Sequence, residues 1–300
     1  MDKLNLMHIF IAVVDTNGLA GAARKLGISP PVVTRAINEL ETVLGVRLLA
    51  RTTRVVRVTE AGARYVEDCR RIVAELAEAD ASVGGMHGAP RGHLTVTAPV
   101  LFGALHVTPI VCEYLQRHPE VNSTCIFLDR VVNLLDEGID VAVRIGELAD
   151  SSMQAIRVGT VRRVICAAPN YLKKHGTPQS PSELARHSII AANSVTQTTE
   201  WQCFDQGKLR HVKLTPRLSC TSNDAALAAA VSGFGLTRLL SYQAAEQVAK
   251  GKLKLVLDDY GPPPIPIHVV HREGRQPPQR VRAFLDLTIE RLRENKALNP

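Results

Sequence analysis

The stretch from Gly18 to Thr59 constrains the fold of this chain more than any other part of the sequence. Ala20, Ala23 and Leu26 recur at helical spacing and predict a short helix with one apolar face. Gly27 follows directly and permits a sharp turn, because glycine adopts backbone conformations that other residues avoid. The pattern predicts a helix that ends in a tight turn.

A second amphipathic helix is predicted directly after this turn. Ser29 is suited to cap it, and Pro30 fits its first turn, where an N–H has no partner within the helix. The apolar residues fall at i, i+4, i+7 and i+11 and predict one buried stripe, made of Val33, Ile37, Leu40 and Leu44. Pro31, Thr34, Arg35 and Asn38 then face away from the core.

The polar side of the second helix suits the major groove of DNA. Arg35 can bridge two acceptors on guanine, Asn38 can pair with adenine, and the methyl group of Thr34 can contact that of thymine. A helix–turn–helix places such a recognition helix in the groove. We therefore expect DNA contacts from the whole exposed row: Ser29, Pro30, Pro31, Thr34, Arg35 and Asn38.

A basic hairpin pattern follows the second helix. Residues 54–59 alternate as a half-buried strand does, and from Arg47 to Arg57 there are four arginines and no acid. A cationic hairpin beside a recognition helix can hold the phosphate backbone. The residues expected to do so are Arg51, Thr53 and Arg54. The alternative is a small helical domain with a solvated basic edge.

The stretch resembles the winged helix–turn–helix of LysR-type transcriptional regulators. The matched positions lie at fixed spacing within the first 62 residues: Ala22, Ala23, Leu26, Ser29, Pro31, Val33, Arg35, Ile37, Leu40, Glu41, Leu44, Gly45, Leu48, Arg51, Arg54, Thr59, Glu60, Ala61 and Gly62. Pro30 stands where the family commonly has a glutamine, so one expected base contact is absent. Thr34 replaces the usual serine. The resemblance implies a DNA-binding domain at 1–58, a linker at 59–90 and an effector domain at 91–300.

A long helical segment is predicted after the wing, from residue 59 to about residue 83. Its apolar residues form a thin stripe at spacings of three to four, with charges elsewhere. Such a helix needs a partner along its stripe, so we expect a dimerisation helix. The alternative is that it packs along its own second domain. Residues 84–90 contain three glycines and a proline and predict a hinge.

From residue 91 the sequence patterns of strands alternate with those of helices, which predicts an α/β region with a parallel sheet. The predicted elements include a short helix at 131–137 and a strand at 214–221. This half resembles the LysR effector domain, which is similar to the type 2 periplasmic binding proteins; residues 140–146 and 164–169 carry the resemblance. It implies two α/β lobes, with crossings near 159–161 and 260–266. Lobe I would comprise 91–160 and 266–300, and lobe II 161–265.

Ligands of open α/β sheets bind outside the carboxyl ends of the strands, where helix N-termini offer free N–H groups. The resemblance places the family's effector cleft at the same loops. Arg144 and two helix N-termini could converge on a carboxylate, so we expect a small organic effector and no metal or other cofactor. The expected contacts are Thr97, Ala98, Pro99, Val100, Phe102, Asp129, Arg144, Gly146, Ser194, Thr221, Ser222 and Asn223. In the alternative, Arg144 pairs with Asp129 or another acid, and Ser222 and Asn223 only cap a helix.

Charge and composition favour a nucleic-acid partner over a membrane. The chain carries a net charge of +7, and residues 1–58 hold eight Lys and Arg against four Asp and Glu. No run reaches the roughly 18 apolar residues of a membrane span. Polar residues interrupt the apolar stretch near the N-terminus, which is typical of a helix that packs in a core. The six cysteines form no C-x-x-C pair, so we expect reduced thiols in a cytoplasmic protein. A redox pair such as Cys203 and Cys220 stays open.

The sequence contains no H-E-x-x-H, G-x-S-x-G or Walker motif, so we expect no enzyme activity. The predicted function is sequence-specific transcriptional regulation by a dimer or homotetramer. Its expected partners are promoter DNA, further copies of the chain, a small effector and, for an activator, RNA polymerase. Two alternatives remain: a small-molecule receptor whose helical N-domain does not read DNA, and an α/β enzyme that uses the helix–turn–helix for assembly.

Overall fold

The computed structural model describes most of the chain, namely residues 1–51, 56–83, 89–130, 132–134, 136–148, 153–192, 200–205, 207–272 and 277–299. The side chains of residues 51, 56, 75, 77–83 and 272 lie outside the description. The chain divides into two compact units. The N-terminal unit comprises Met1–His93, Glu120–Asn122 and Pro278–Arg280, and the C-terminal unit comprises Leu94–Pro119, Ser123–Pro277 and Val281–Pro300.

The N-terminal unit is a three-helix core followed by a hairpin and a long helix. Its elements are α1 (Lys3–Asp15), α2 (Leu19–Leu26), α3 (Pro30–Leu44), β1 (Leu49–Arg51), β2 (Val56–Val58) and α4 (Glu60–Val83). Phe10 of α1 and Ile37 and Leu40 of α3 are fully buried in one apolar core. The hairpin strands are antiparallel, with Leu49 opposite Val58. Helical periodicity therefore predicts this unit well.

The short helix α2 buries a different face from the predicted one. Ala22 and Ala23 are buried, whereas Ala20 and Leu26 are exposed, so the predicted apolar face was wrong. A helix of eight residues makes barely two turns, so only a small part of it contacts the neighbouring helices. In α2 that part is the adjacent pair Ala22 and Ala23. Gly27, with φ of 65°, ends the helix in the left-handed conformation as predicted.

The start of α3 also departs from the prediction. Ser29 occupies the N-cap position, but its side chain makes no capping hydrogen bond. The cause is the sequence Pro30-Pro31, because Pro31 has no N–H to donate at the second helical position. The N–H of Val32 bonds to the main-chain oxygen of Ser29 instead, at 3.0 Å. The prolines fix the first turn without help from the serine hydroxyl.

The C-terminal unit contains two five-stranded sheets. Its strands are β3 (Gly92–Ala98), β4 (Val121–Phe127), β5 (Val141–Ile145), β6 (Met153–Val161), β7 (Arg163–Ala167), β8 (Ile189–Ala192), β9 (Glu200–Asp205), β10 (Lys208–Lys213), β11 (Leu218–Cys220), β12 (Leu236–Leu240), β13 (Lys254–Val256) and β14 (Ile265–Arg272). The sheet orders are β4-β3-β5-β14-β6 and β11-β8-β12-β7-β13, and β9 pairs with β10 in a separate hairpin.

Helices flank both sheets. They are α5 (Val100–Phe102), α6 (Thr108–Arg117), α7 (Pro169–His175), α8 (Asn223–Val231), α9 (Ser241–Ala249) and α10 (Gln279–Glu294). A π-helical turn at Gly103–Val107 joins α5 to α6, and 3-10 turns lie at Pro181–Arg186 and Asp258–Tyr260. Over the described residues no single helix is long and apolar enough to cross a membrane. Only α1 and α2 together, across a 120° bend, reach that length and composition.

Both sheets are mixed, so the predicted parallel sheet was wrong. β3 and β5 are parallel, as are β8 and its neighbours β11 and β12, but β14 runs antiparallel to β5 and β6, and β7 to β12 and β13. Arg162 alone joins β6 to β7, without the crossover helix that parallel neighbours require. At Arg162 the chain passes from the first sheet to the second. It returns to the first sheet in β14, which pairs with β6.

Two other expectations differ from the structure, and one hairpin was not expected at all. Within 131–137 the described residues form turns rather than a helix, and the side-chain amide of Asn133 donates to Asp136 at 2.6 Å, a local bond that competes with helix formation. The predicted strand 214–221 shrinks to β11 because Pro216 interrupts it. The hairpin β9–β10 was not predicted.

Candidate functional site

The exposed side of α3 carries the side chains predicted to contact DNA. Pro31, Arg35 and Asn38 are exposed, as are Ser29 and Pro30 at the helix start. Thr34 is half-buried, and its hydroxyl donates to the main-chain oxygen of Pro30 at 3.1 Å. The hydroxyl is therefore occupied within the helix, and the threonine methyl group is the part left to face a partner.

A buried carboxylate fixes the hairpin to α3. Glu41 is 8% exposed, and one of its oxygens accepts the main-chain N–H groups of Leu48 and Leu49, at 2.9 and 3.0 Å. These bonds place the first strand of the wing at a fixed position against the recognition helix. The spacing of apolar residues did not predict this role for Glu41, because such spacing identifies apolar helix faces and not buried acids.

The first turn of α4 is locked onto the hairpin as well. The hydroxyl of Thr59 donates to the main-chain oxygen of Arg47 at 2.8 Å and accepts the N–H of Gly62 at 3.0 Å. A Cβ atom on Gly62 would lie 2.1 Å from the main-chain oxygen of Leu48, a distance that no side chain tolerates. Glycine is required here because two backbone segments touch.

The wing presents cationic side chains to solvent. Arg47 and Arg57 are exposed. The backbone of Arg51 lies in β1 opposite Val56, while its side chain falls outside the described residues, as do Thr53 and Arg54. Their predicted phosphate contacts therefore stay predictions.

The stripe along α4 changes character along the helix. Val66 and Cys69 are buried in the core of the N-terminal unit, but Ile72 and Leu76 are 41% and 42% exposed. Asp15 anchors the first half, since its carboxylate accepts bonds from Lys25 at 3.0 Å and from Arg70 at 2.6 Å. The second half offers an apolar row to a further helix. Of the hinge predicted at 84–90, residues 84–88 lie outside the described residues.

In the C-terminal unit, three of the predicted effector residues are part of the core. Thr97, Ala98 and Phe102 are fully buried, and the hydroxyl of Thr97 donates to the main-chain oxygen of Ile126 at 2.6 Å. Pro99 is half-buried, and Val100 is 42% exposed. The loop after β3 therefore offers the surface of Val100 rather than a free hydroxyl.

The two helix N-termini expected to bind an anion are already occupied in part. Asp129 accepts the N–H of Val100 at 3.0 Å, and the hydroxyl of Ser222 accepts the N–H of Ala225 at 3.1 Å, which makes Ser222 the cap of α8. Thr221 beside it is exposed and Asn223 half-buried. Ser194 lies outside the described residues. These loops supply fewer free donors than their sequence suggests.

Arg144 is the predicted residue with unused hydrogen-bonding capacity. Its Nη2 atom is buried and has no hydrogen-bond partner among the described residues. Glu137 is close enough to act on its charge, but both Glu137 oxygens accept bonds from Arg130, each at 2.9 Å. Burial lowers the pKa of Arg144, and Glu137 opposes that shift. Within the described part of the chain, no acid forms an ion pair with this guanidinium.

His268, which the sequence did not single out, lies directly opposite Arg144 on the neighbouring strand β14. Directly opposed residues of antiparallel strands point to the same face, with Cβ atoms about 5 Å apart. The Nδ1 atom of His268 is likewise buried, with no hydrogen-bond partner among the described residues. Strand register brings the pair together across 124 positions of sequence, so no local signal could have shown it.

Tyr242 connects the two sets of predicted effector residues. It is 5% exposed, and its ring packs edge-on against Phe102 with centroids 5.2 Å apart. Burial raises the pKa of its phenol, and the carboxylates of Asp129 and Asp224 raise it further. The loop after β4 and the first turn of α8 therefore both lie near one buried tyrosine.

The chain is similar to known regulators over nearly its whole length. Residues 4–63 match the lysR family of bacterial regulatory helix-turn-helix proteins, and residues 87–293 match the LysR substrate binding domain. It is 33% identical over 281 residues to an uncharacterised HTH-type transcriptional regulator of Haemophilus influenzae, covering 94% of this chain and 98% of the relative. Identity to the regulator CrgA of Neisseria meningitidis serogroup B is 31% over 291 residues, 96% and 97% of the two chains.

The fold agrees with these sequence matches. It is similar to the solved structure of CrgA, a LysR-type transcriptional regulator from Neisseria meningitidis, with a TM-score of 0.63 and 30% identity over 97% of this chain and 99% of that one. The chain belongs to the LysR family of transcriptional regulators. The predicted fold class and function are thereby confirmed, and a receptor whose N-domain does not read DNA is excluded. This LysR-type regulator binds DNA, associates with copies of itself and binds a small-molecule effector.

Proposed function

We propose that this LysR-type regulator responds to a carboxylate-bearing effector held by Arg144 and His268. The observation that carries this proposal is the pair of buried polar atoms, Nη2 of Arg144 and Nδ1 of His268, on directly opposed strand positions. Buried polar groups are normally hydrogen-bonded, and a guanidinium offers a carboxylate two parallel bonds. A ligand carboxylate supplies what both groups lack.

Three of the remaining predicted effector contacts are included in the proposed site together with Tyr242. Val100, Thr221 and Asn223 offer partly exposed side chains, and Tyr242 lies between their loops with its hydroxyl near Asp129 and Asp224. We propose that these groups bind the uncharged part of the effector. No metal or other cofactor takes part in this proposal.

On the DNA side, we propose that Arg35 and Asn38 read bases and that the wing arginines hold phosphates. Both side chains are exposed on one face of α3, and the wing beside it is fixed by Glu41. The apolar row of Ile72 and Leu76 would pack against a second copy of α4. The regulator would act in the cytoplasm, where promoter DNA is found, and would catalyse no reaction.

The division of labour on DNA is tested with Arg35→Ala and Arg57→Ala, both at exposed positions. Loss of a bidentate base contact should weaken specific binding by about 1–3 kcal/mol and relax the base preference at one position. Loss of a phosphate contact should weaken all sequences alike and lower the slope of log K against log salt by about 1. Footprint titrations across salt measure both, and equal effects of the two variants would contradict the assignment.

The effector site is tested by thermal shift with a panel of small aliphatic and aromatic carboxylates and their uncharged amides. At least one acid, but not its amide, should raise the melting temperature of the native protein. Arg144→Gln should abolish that shift. Arg186→Gln, at an exposed arginine of the 3-10 turn Pro181–Arg186, should keep it. A response that survives Arg144→Gln would overturn the proposal.

A further inference from the structure

A second group of arginines lies beneath the hairpin of β9 and β10, apart from Arg144. Arg163 of β7 and Arg238 of β12 point to the same face of the second sheet, since Arg238 pairs with Ile165, two residues beyond Arg163. With Cys203, Asp258, Tyr260 and Gly261 they line a small cavity in which the centre of a water-sized sphere has about 10 Å³ to occupy, so an ion somewhat larger than water also fits. Arg163 is exposed, which leaves a path from solvent.

Neither guanidinium forms an ion pair among the described residues, although Asp258 lies on the cavity wall. The Nη1 atom of Arg238 is buried without a hydrogen-bond partner in that part of the chain. Asp258, the acid on the cavity wall, accepts instead from Arg162 at 3.1 Å. Residues 193–199, which precede the β9–β10 hairpin, and residue 206, between its strands, lie outside the described residues. Their sequence contains no Asp or Glu.

The neighbouring side chains do not neutralise Arg238. Its guanidinium carbon lies 5.4 Å from the ring centroid of Trp201, a cation–π contact that stabilises a cation without supplying a negative charge. Burial and the charge of Arg163 together lower the pKa of Arg238 to about 10. The group nevertheless stays protonated at neutral pH. Cys203 is a neutral thiol there, because burial raises its pKa.

The buried Nη1 atom of Arg238 needs a hydrogen-bond acceptor, and the neighbouring charge of Arg163 favours an acceptor that is negatively charged. From the cavity, the two guanidinium groups that line it and the missing ion pair to either of them among the described residues, we infer that this regulator binds a small inorganic anion of halide size between Arg163 and Arg238. The anion accepts hydrogen bonds from Nη1 of Arg238 and from the guanidinium of Arg163. Organic carboxylates are too large for the cavity and bind elsewhere.

The position of the site gives the anion a structural role. Arg163 begins the strand that follows the first passage between the sheets, and Tyr260 and Gly261 belong to the segment that leads back to β14. An anion therefore bridges the outgoing strand and the returning segment. We expect it to stabilise the C-terminal unit whether or not an effector is bound.

The test is thermal unfolding of the full chain in sodium chloride, bromide and gluconate at one ionic strength. Chloride and bromide should raise the melting temperature of the C-terminal unit by roughly 2–4 °C over gluconate, a large ion that the cavity excludes. Arg238→Gln and, as a milder change at an exposed position, Arg163→Gln should abolish the difference. Arg186→Gln, at an exposed arginine that does not line the cavity, should retain it.

Two further measurements separate this site from others. Arg144→Gln should keep the halide response, so failure of the carboxylate proposal and failure of this one give different results. Crystals soaked in bromide should show an anomalous peak between Arg163 and Arg238. Equal melting temperatures in all three salts, a response that survives both Arg163→Gln and Arg238→Gln, or no bromide peak at this position would each overturn the inference.

Discussion

The recognition helix and the Arg144 region use the same chemical groups in opposite surroundings. Arg35 and Asn38 are exposed on a single helix, three residues apart, and face a partner that comes from outside. Arg144 and His268 are held on separate strands with buried polar atoms. A groove-reading surface must be convex and solvated, whereas a small-molecule site gains its binding energy by excluding water. The contrast shows why one site is local in sequence and the other is not.

Gly62→Ala is expected to have the largest effect on the DNA-binding unit. The added Cβ would lie 2.1 Å from the main-chain oxygen of Leu48, so the hairpin and α4 must separate. We expect the N-terminal unit to lose about 3 kcal/mol of unfolding free energy, at the upper end for overpacked sites. Denaturant titration followed through DNA binding measures this loss.

The matched control for Gly62→Ala is Gly45→Ala. Gly45 has φ of 68° and open space around it, so alanine there meets only backbone strain of about 1 kcal/mol. If both alanines cost the same, steric contact at Gly62 is not what holds the hairpin to α4.

Glu41→Ala should have the next largest effect, because it leaves the N–H groups of Leu48 and Leu49 buried without their acceptor. Each unsatisfied buried donor costs about 1–3 kcal/mol, and we expect a total of about 2–3 kcal/mol. DNA affinity should fall with it, since the wing loses its position relative to α3. Chemical denaturation and footprinting measure the two effects.

Glu39→Ala serves as the control for Glu41→Ala. Its carboxylate pairs with the N-terminal amine at the surface, a contact that contributes about 0.5 kcal/mol at most. A Glu41→Ala protein no less stable than Glu39→Ala would show that the buried carboxylate does not fix the wing.

The smallest expected effect concerns the C-terminal unit and pH. Burial lowers the pKa of His106, so the unfolded chain takes up this proton first as pH falls. Stability is therefore full above the unfolded value of 6.5 and falls below it, by at most about 1.4 kcal/mol per pH unit. His106→Gln should flatten the decline between pH 6.5 and 5 in thermal melts. A decline that stays equally steep in His106→Gln would show that this histidine does not cause it.

The sequence predicted those features whose signal repeats within a few residues. The helices α1, α3 and α4, the turn at Gly27 and the exposed row of Arg35 and Asn38 all follow from helical spacing. The fold class followed because the motif between residues 18 and 62 is dense enough to identify the family. Capping failed at Ser29 because Pro31 removes the donor that the hydroxyl would have used.

Features set by strand register or by long-range packing could not be predicted in this way. The antiparallel return of β14 places His268 opposite Arg144, and it also makes the first sheet mixed. Tyr242 reaches Phe102 only because α9 packs against α5. Arg163 and Arg238 share a cavity through the β7–β12 pairing, 75 positions apart. In each case the sequence shows the residues but not their neighbours.

The contact between Gly62 and Leu48 also bears on how regulators of this type can be recombined. The first turn of α4 belongs structurally to the DNA-binding unit, because Thr59 and Gly62 interlock with the hairpin. A chimera joined at the end of the wing, near residue 58, would bring together two halves of this contact from different parents. A junction placed within α4 beyond Cys69, the last fully buried residue of its first half, would transfer the whole interlocked unit. The natural cut for exchanging DNA specificity is therefore inside the helix and not at its start.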